Sequence, residues 1–220
     1  MVIAIDGPGG VGKSTVARTV ARELGLAYLD TGSTYRAATV VTLDEGIAVT
    51  DQSSILDAVT RHVIDYDARG IVLDDRPIAD RVRDEDVTAN VSAVSAHPEV
   101  RRTIVEIQRA WVDAHDGDAV VEGRDIGTVV FPGAPVKVFL TARPEIRAAR
   151  RAGDAEVADR SVTEIQRSLE QRDTADASRA SSPMKPADDA VIIDTSDLGI
   201  EDVVARVLDL VKAAGANRPV

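Results

Sequence analysis

The sequence predicts an α/β fold: three layers built on a parallel five-stranded sheet, with a small antiparallel insertion and a short lid. Three observations carry this. Short apolar runs alternate with segments of helical period along nearly the whole chain. A glycine-rich loop joins the first run to the first helix. One stretch, residues 62–82, breaks the alternation with closely spaced turns.

Residues 2–5, 27–29, 119–121, 136–140 and 191–193 read as strands, because each is a short apolar run bounded by turn or polar residues. Val16, Val20 and Leu24 recur at a spacing of four after the glycine loop, which predicts a helix there. Residues 98–115 predict another, with Val100, Ile104, Ile107 and Trp111 as its apolar seam. Val203, Val204, Val207, Leu208 and Val211 mark the last helix. Within 62–82, segments 62–67, 70–73 and 77–82 alternate in polarity and are joined by Asp67-Ala68-Arg69-Gly70 and Asp74-Asp75-Arg76-Pro77, which predicts a small antiparallel sheet.

Composition narrows the class. The chain of 220 residues is 44% hydrophobic and 3% aromatic, so its core is built from Val, Ile, Leu and Ala. With no cysteine, disulfides and thiol chemistry are excluded. The N-terminal residues carry no signal-peptide pattern and no run is long enough to span a membrane, so a soluble, cytoplasmic protein is expected. A net charge of −11 argues against nucleic acid as a partner. No apolar face is left over by the helical patterns, so a monomer is expected. Of the 26 cationic residues, 22 are Arg. Codon bias explains such a ratio as well as phosphate binding does, and only position separates the two.

Gly7-Pro8-Gly9-Gly10-Val11-Gly12-Lys13-Ser14 matches G-x-x-x-x-G-K-[ST] between a predicted strand and a predicted helix. Glycines let backbone N–H groups turn inward as an anion nest, and the helix N-terminus adds its dipole. Lys13 is placed to reach β/γ-phosphates and Ser14 to coordinate Mg²⁺. ATP or GTP binding follows, without naming the acceptor. A regulatory GTPase needs D-x-x-G on a second strand and an N-K-x-D base reader. Asp67-Ala68-Arg69-Gly70 sits in a hairpin turn, and neither Asn90 nor Asn217 begins N-K-x-D. A P-loop kinase for a non-nucleotide hydroxy acid remains a second alternative.

Arginines then locate the site. On the helix beginning near Val162, the stripe Val162, Ile165 and Leu169 continues as Arg172, Asp176 and Arg179. Periodicity leaves two readings open: charges facing a ligand, or a helix that leaves the core with Arg172 and Asp176 as an exposed i,i+4 pair. Arg101 lies at the edge of its helix's seam, whereas Arg102 and Arg109 lie on the far side. Arg147, Arg150 and Arg151 flank a stripe of Ile146 and Ala149, ahead of a polar, acidic stretch that suits a flap. Asp30-Thr31-Gly32-Ser33-Thr34-Tyr35-Arg36 and Glu122-Gly123-Arg124-Asp125-Ile126-Gly127-Thr128 follow strands, where ligand crevices open in such sheets. Capping accounts for Asp30 and Thr31 but not for Arg36 or Arg124. His62, His97 and His115 are scattered and read as surface or capping residues.

In chain order, the glycine loop, Asp30-Thr31-Gly32 with Tyr35-Arg36, and Gly123-Arg124-Asp125 with Gly127-Thr128-Val129-Val130-Phe131-Pro132 resemble the bacterial cytidylate kinases, P-loop nucleoside-monophosphate kinases. The resemblance runs from the first strand to the last helix. It implies phosphorylation of CMP and dCMP to the diphosphate, with ATP as co-substrate and Mg²⁺ as cofactor. It implies a core of residues 1–60, 93–150 and 162–220, a CMP-binding insertion at about 61–92 and a lid at about 151–161. Gly7, Pro8, Gly9, Gly10, Val11, Gly12, Lys13, Ser14 and Thr15 would hold ATP, with Ser14 on the metal. Thr31 would join the CMP site, Arg36 and Arg124 would grip the CMP phosphate, and Ser92, Arg101 and Asp125 would read the cytosine edge. Arg172, Asp176 and Arg179 would face ribose and phosphate. Lys13, Arg124, Arg147 and Arg151 would act on the transferring phosphoryl. The chain departs from the family where Glu122 replaces a common Asp, where Thr31 replaces a common Ser, and where Ala175 and Ala177 replace residues that are often charged.

Overall fold

A computed structural model describes residues 1–153, 161–179 and 181–215. Five strands, β1 (Val2–Asp6), β2 (Ala27–Asp30), β6 (Ala119–Gly123), β7 (Val136–Thr141) and β8 (Val191–Asp194), form one sheet in the order β2-β6-β1-β7-β8. Every pairing in it is parallel. The strands run one or two residues further at their carboxyl ends than the apolar runs do, because Asp6, Asp30, Glu122, Gly123, Thr141 and Asp194 extend the ladder with polar or small residues. The register sets Asp6 beside Gly123 on one side and Phe139 on the other. Strand β1 therefore lies at the centre, where the connections diverge to both sides and the carboxyl edge opens a crevice.

Helix α1 (Lys13–Leu24) starts from Gly12 at φ 90° and ends at Gly25 at φ 63°, whose N–H bonds the carbonyls of Ala21 and Arg22. It buries Val16, Ala17, Val20 and Ala21. With Val203, Val204, Val207 and Val211 of α8 (Ile200–Ala213), these pack on Ile3, Ile5, Val138 and Leu140 of the sheet. Burial of such side chains contributes roughly 1.5–3 kcal/mol each.

The chain divides into two compact units, residues 1–30 with 115–220, and residues 31–114. The second unit is wider than the insertion expected at about 61–92. It holds α2 (Thr31–Asp44), α3 (Gln52–Arg61), the antiparallel strands β3 (Ile64–Asp67), β4 (Gly70–Leu73) and β5 (Arg76–Pro77), α4 (Glu85–Val94) and α5 (Pro98–Asp113). Its own core joins Val40, Ile55, Val59, Ile71, Val91 and Ile104. The third alternating segment, expected as a strand over 77–82, pairs only through Pro77 and Arg76 and then tightens into a short helical turn at Arg81–Arg83. One more backbone bond follows Pro77, from Ile78 N–H to the Ile71 carbonyl at 3.1 Å, before Val82 N–H bonds back to Ile78 and closes the turn.

The lid expected at about 151–161 falls mostly outside the described residues; Arg151 lies within α6 (Pro144–Ala152) and Ser161 caps α7 (Val162–Ala177). Among the described residues, no helix is long and apolar enough to cross a membrane.

The histidines take varied places. His97 stands at the N-cap of α5, but its side chain makes no cap bond; its ring Nε2 instead reaches the Val49 carbonyl at 2.8 Å. His62 bridges two carboxylates, with Nδ1 2.6 Å from Asp74 and Nε2 2.9 Å from Glu45. The Asp74 and Glu45 bonds raise its pKa, since both favour the imidazolium. The folded value lies above the unfolded value of about 6.5, so the clasp stabilises fully below that pH and is lost as pH rises through the folded value. Thermal melts of wild type and His62→Asn should differ by about 1–3 °C near pH 5.5. That gap should close toward alkaline pH.

Candidate functional site

The loop after β1 is shaped by its neighbours. Gly7 has φ +144°, and a Cβ there would lie 2.2 Å from the Leu140 carbonyl oxygen. Gly10 has φ +77°, and a Cβ there would meet the Arg147 backbone oxygen at 2.8 Å. Only glycine fits both places. An anion nest points N–H groups inward, so its carbonyls turn outward and need donors. Three cations supply them. Arg124 Nη1 donates to Gly7 O at 2.8 Å, Lys13 Nζ to Pro8 O at 2.7 Å, and Arg147 Nη1 to Gly9 O at 3.3 Å.

A chain of alternating charges runs on from these residues. Arg147 pairs with Asp173, Asp173 lies 3.5 Å from Arg124, Arg124 Nε lies 3.2 Å from Asp176, and Asp176 pairs with Arg179. Asp176 is 2% exposed, so the exposed-pair reading of α7 is excluded. The stripe itself needs one correction: Val162 is 48% exposed and Ile165 is the apolar residue that α7 buries. Val162 sits at the first helical position beside the Ser161–Glu164 capping box, before the helix reaches the core. On α6 the expected stripe of Ile146 and Ala149 is also displaced: Arg147 and Ala148 are buried and Ala149 is exposed. The close approach of Gly10 leaves room there for the Arg147 stem, with its guanidinium on the loop. Arg150 donates to Thr195 Oγ1 at 2.9 Å and to its carbonyl at 2.7 Å, and Arg151 is half-buried.

Around Lys13, burial and the nearby Arg124 and Arg172 charges lower the ammonium pKa, opposed by Glu122 and Asp173. Burial pushes the Glu122 carboxyl up, with Asp30 adding to the rise and Lys13 opposing it. Glu122 Oε2 accepts from Ser14 Oγ at 3.0 Å, and Oε1 accepts from the Tyr28 hydroxyl. Arg18 stacks on the Tyr28 ring, 5.2 Å from its centre. A hydroxyl and a buried carboxylate are hard oxygen donors of the kind that suit Mg²⁺. Among the described residues no group of three or more His, Cys, Asp or Glu forms a metal cage. The donor set fits an ion that takes most of its ligands from phosphate and water.

After β6, Asp6 fixes the next turn. Its carboxylate accepts from Ile126 N–H and Gly127 N–H, both at 2.8 Å, and burial raises its pKa to about 6. This starts a wide helical turn over Ile126–Val130, with Asp125 buried at its head.

The expected residues thus fall into two sets. Gly7 through Thr15, Arg124, Asp125, Arg147, Arg151, Arg172, Asp176 and Arg179 belong to the first unit, where the charge chain joins Arg147, Arg124, Asp176 and Arg179. Thr31, Arg36, Ser92 and Arg101 belong to the second. There Arg36 Nη1 donates to Val82 O at 2.8 Å and to Thr88 Oγ1 at 2.9 Å. Arg101 is 3% exposed, lies 4.8 Å over the Tyr35 ring and donates to Ser95 O at 3.2 Å. Thr31 is buried at the start of α2, and Ser92 is half-buried on α4. Sequence reasoning missed Asp6, Tyr28 and Asp173. The last was legible: Asp173 is the i+4 continuation from Leu169, beside the i+3 continuation Arg172.

Residues 3–213 match the family described as cytidylate kinase. The chain is 47% identical to a cytidylate kinase of Streptomyces avermitilis, covering 99% of this chain and 95% of that protein. It is also 47% identical to one of Mycobacterium leprae, covering 96% of each. Among solved structures, a sugar kinase from a Janibacter species superposes with TM-score 0.52 at 18% identity, covering 98% of this chain and 96% of that one. A shikimate kinase from Acinetobacter baumannii superposes with TM-score 0.50 at 15% identity, covering 98% and 95%. At those identities the structures speak for the fold.

Removing Asp176 leaves the half-buried Arg124 and Arg179 without their shared carboxylate. Asp176→Ala should cost about 3 kcal/mol, read as a fall in Tm of about 6–12 °C. Asp209→Ala, which breaks an exposed pair with Lys212, should leave Tm unchanged within error.

Proposed function

The chain belongs to the cytidylate kinase family, and on that premise we propose that it transfers the γ-phosphoryl of ATP to CMP and dCMP. The observation that carries the reading is the glycine loop, whose carbonyls are held by Arg124, Lys13 and Arg147. That arrangement sets three cations around the loop that would hold the donor's phosphates. Free nucleotides, rather than nucleic acid, suit a chain of net charge −11.

The acceptor is a CMP phosphate oxygen, anionic near neutral pH, so no strong general base is required. Catalysis rests on alignment and charge neutralisation by Lys13, Arg124, Arg147 and Arg151. Mg²⁺ held by Ser14, with Glu122 behind it, would neutralise charge on the donor's phosphates. Arg36 and Arg124 grip the CMP phosphate, and Arg172, Asp176 and Arg179 serve its phosphate and ribose side. Thr31 lines the acceptor site. Asp125 accepts from the cytosine N4 amino group while Arg101 and Ser92 meet the acceptor side of the base. Uracil would set a carbonyl against the Asp125 carboxylate. Polar mismatch of this kind discriminates by as much as about 10⁴.

Release of ADP in a coupled assay with Mg-ATP tests the reading against CMP, dCMP, UMP, AMP, GMP and shikimate. Strong turnover with CMP and dCMP and weak turnover with UMP is expected. A preference for AMP, GMP or shikimate would overturn the acceptor assignment. Arg101→Ala should raise KM for CMP about a hundredfold while KM for ATP stays within about twofold. An equal loss for both substrates would remove the base-reading role.

A further inference from the structure

Helix α7 carries two buried or nearly buried carboxylates, and they do different things. Asp176 is enclosed by Arg124 and Arg179. Asp173 reaches the loop. Its Oδ1 accepts from Gly9 N–H at 3.3 Å and lies 3.5 Å from Arg124 Nη1, and its Oδ2 pairs with Arg147 Nη1. A backbone N–H from an anion nest together with two guanidinium groups is the donor set of a phosphate receptor. We propose that Asp173 is a positioning residue that stands in for a phosphate, holding Gly9 N–H, Arg147 and Arg124 aimed into the loop until the donor's phosphate chain displaces it.

The physical case is competition for the same donors. Arg147 Nη1 is shared between the Gly9 carbonyl and Asp173, and Arg124 Nη1 between the Gly7 carbonyl and Asp173. A phosphate that takes Gly9 N–H and these guanidiniums meets the Asp173 carboxylate at contact distance, with like charge. The two anions cannot both keep the set. The benefit of the surrogate is charge balance: Lys13, Arg124, Arg147 and Arg172 converge on one loop, and both Glu122 and Asp173 favour the Lys13 ammonium. Buried cations left without a counter-charge are costly. Asp173 keeps them assembled at the cost of weaker anion binding.

The inference rests on the glycine loop being the seat of the donor's phosphates, but not on the identity of the acceptor. An ordinary structural ion pair predicts that its loss lowers stability and anion affinity together. A surrogate predicts that stability falls while affinity rises. Calorimetric titration of the full chain with inorganic triphosphate and Mg²⁺, free of any nucleotide, separates them. Asp173→Asn keeps the shape and an acceptor for Gly9 N–H while removing the charge. It should bind triphosphate about tenfold more tightly than wild type, with a lower Tm in the absence of triphosphate. Asp173→Glu, which restores the charge, should return affinity toward wild type. Unchanged or weaker binding by Asp173→Asn overturns the proposal. If that variant does not fold, hydrogen exchange on wild type decides: saturating triphosphate should speed exchange at residues 173–177 while slowing it in the loop. Slower or unchanged exchange on α7 overturns it. Failure of every form to bind triphosphate would remove the phosphate seat itself, whereas failure of CMP turnover alone would leave this result standing.

Discussion

A loop that turns its N–H groups toward an anion must turn its carbonyls away, and everything around the site follows from satisfying those carbonyls. Gly7, Pro8 and Gly9 each present one, and Arg124, Lys13 and Arg147 each donate to one. The donors come from the turn after β6, from α1 and from α6, three separate stretches of the chain. Backbone geometry thus recruits the same three cations that we propose act on the transferring phosphoryl. Glycine at positions 7 and 10 is required because β7 and α6 press directly on the loop, so the elements that bring the donors also dictate the sequence between them.

Concentrating cations in this way needs compensation. Asp173 and Asp176 interleave with the arginines, and Glu122 stands behind Lys13 and Ser14. Tyr28 reinforces Glu122: burial and the neighbouring charge push its phenol up, so it remains a donor to the carboxylate. Asp6 works on a different problem, anchoring two N–H groups at the turn that carries Asp125. The carboxylates near the loop are therefore not interchangeable. One group holds arginines, one orients a hydroxyl, and one shapes backbone.

The second unit has its own core, from Tyr35 to Ile104, and arginines seated on local partners. Arg101 lies on the buried face of an amphipathic helix, against the Tyr35 ring and the Ser95 carbonyl, which help fix its direction. Gln108 on the same helix is fully buried and donates to Thr34, which in turn donates to the Thr31 carbonyl at the start of α2. Polar residues on the inner side of α5 thus tie to the segment that begins the unit, while Val100 and Ile104 supply the packing.

Local pattern by itself determined the five parallel strands, the glycine loop, the hairpin at 64–73 and the helices α1, α5 and α8, because these depend on periodicity and on turn chemistry that neighbours in sequence supply. It also pointed to Arg124, Arg147, Asp176 and Arg179, as charges that apolar stripes and strand ends do not explain. Tertiary structure decided what each of them touches. Whether Asp176 was exposed or enclosed depended on Arg124 arriving from the turn after β6, some fifty residues away in sequence. The burial of Arg147 rather than Ile146 depended on how closely α6 meets Gly10. Tyr28 and Asp6 look ordinary in the sequence, and Asp173 shows there only as a charge continuing a stripe, since a buried carboxylate or phenol gains its role only from partners that the fold brings to it.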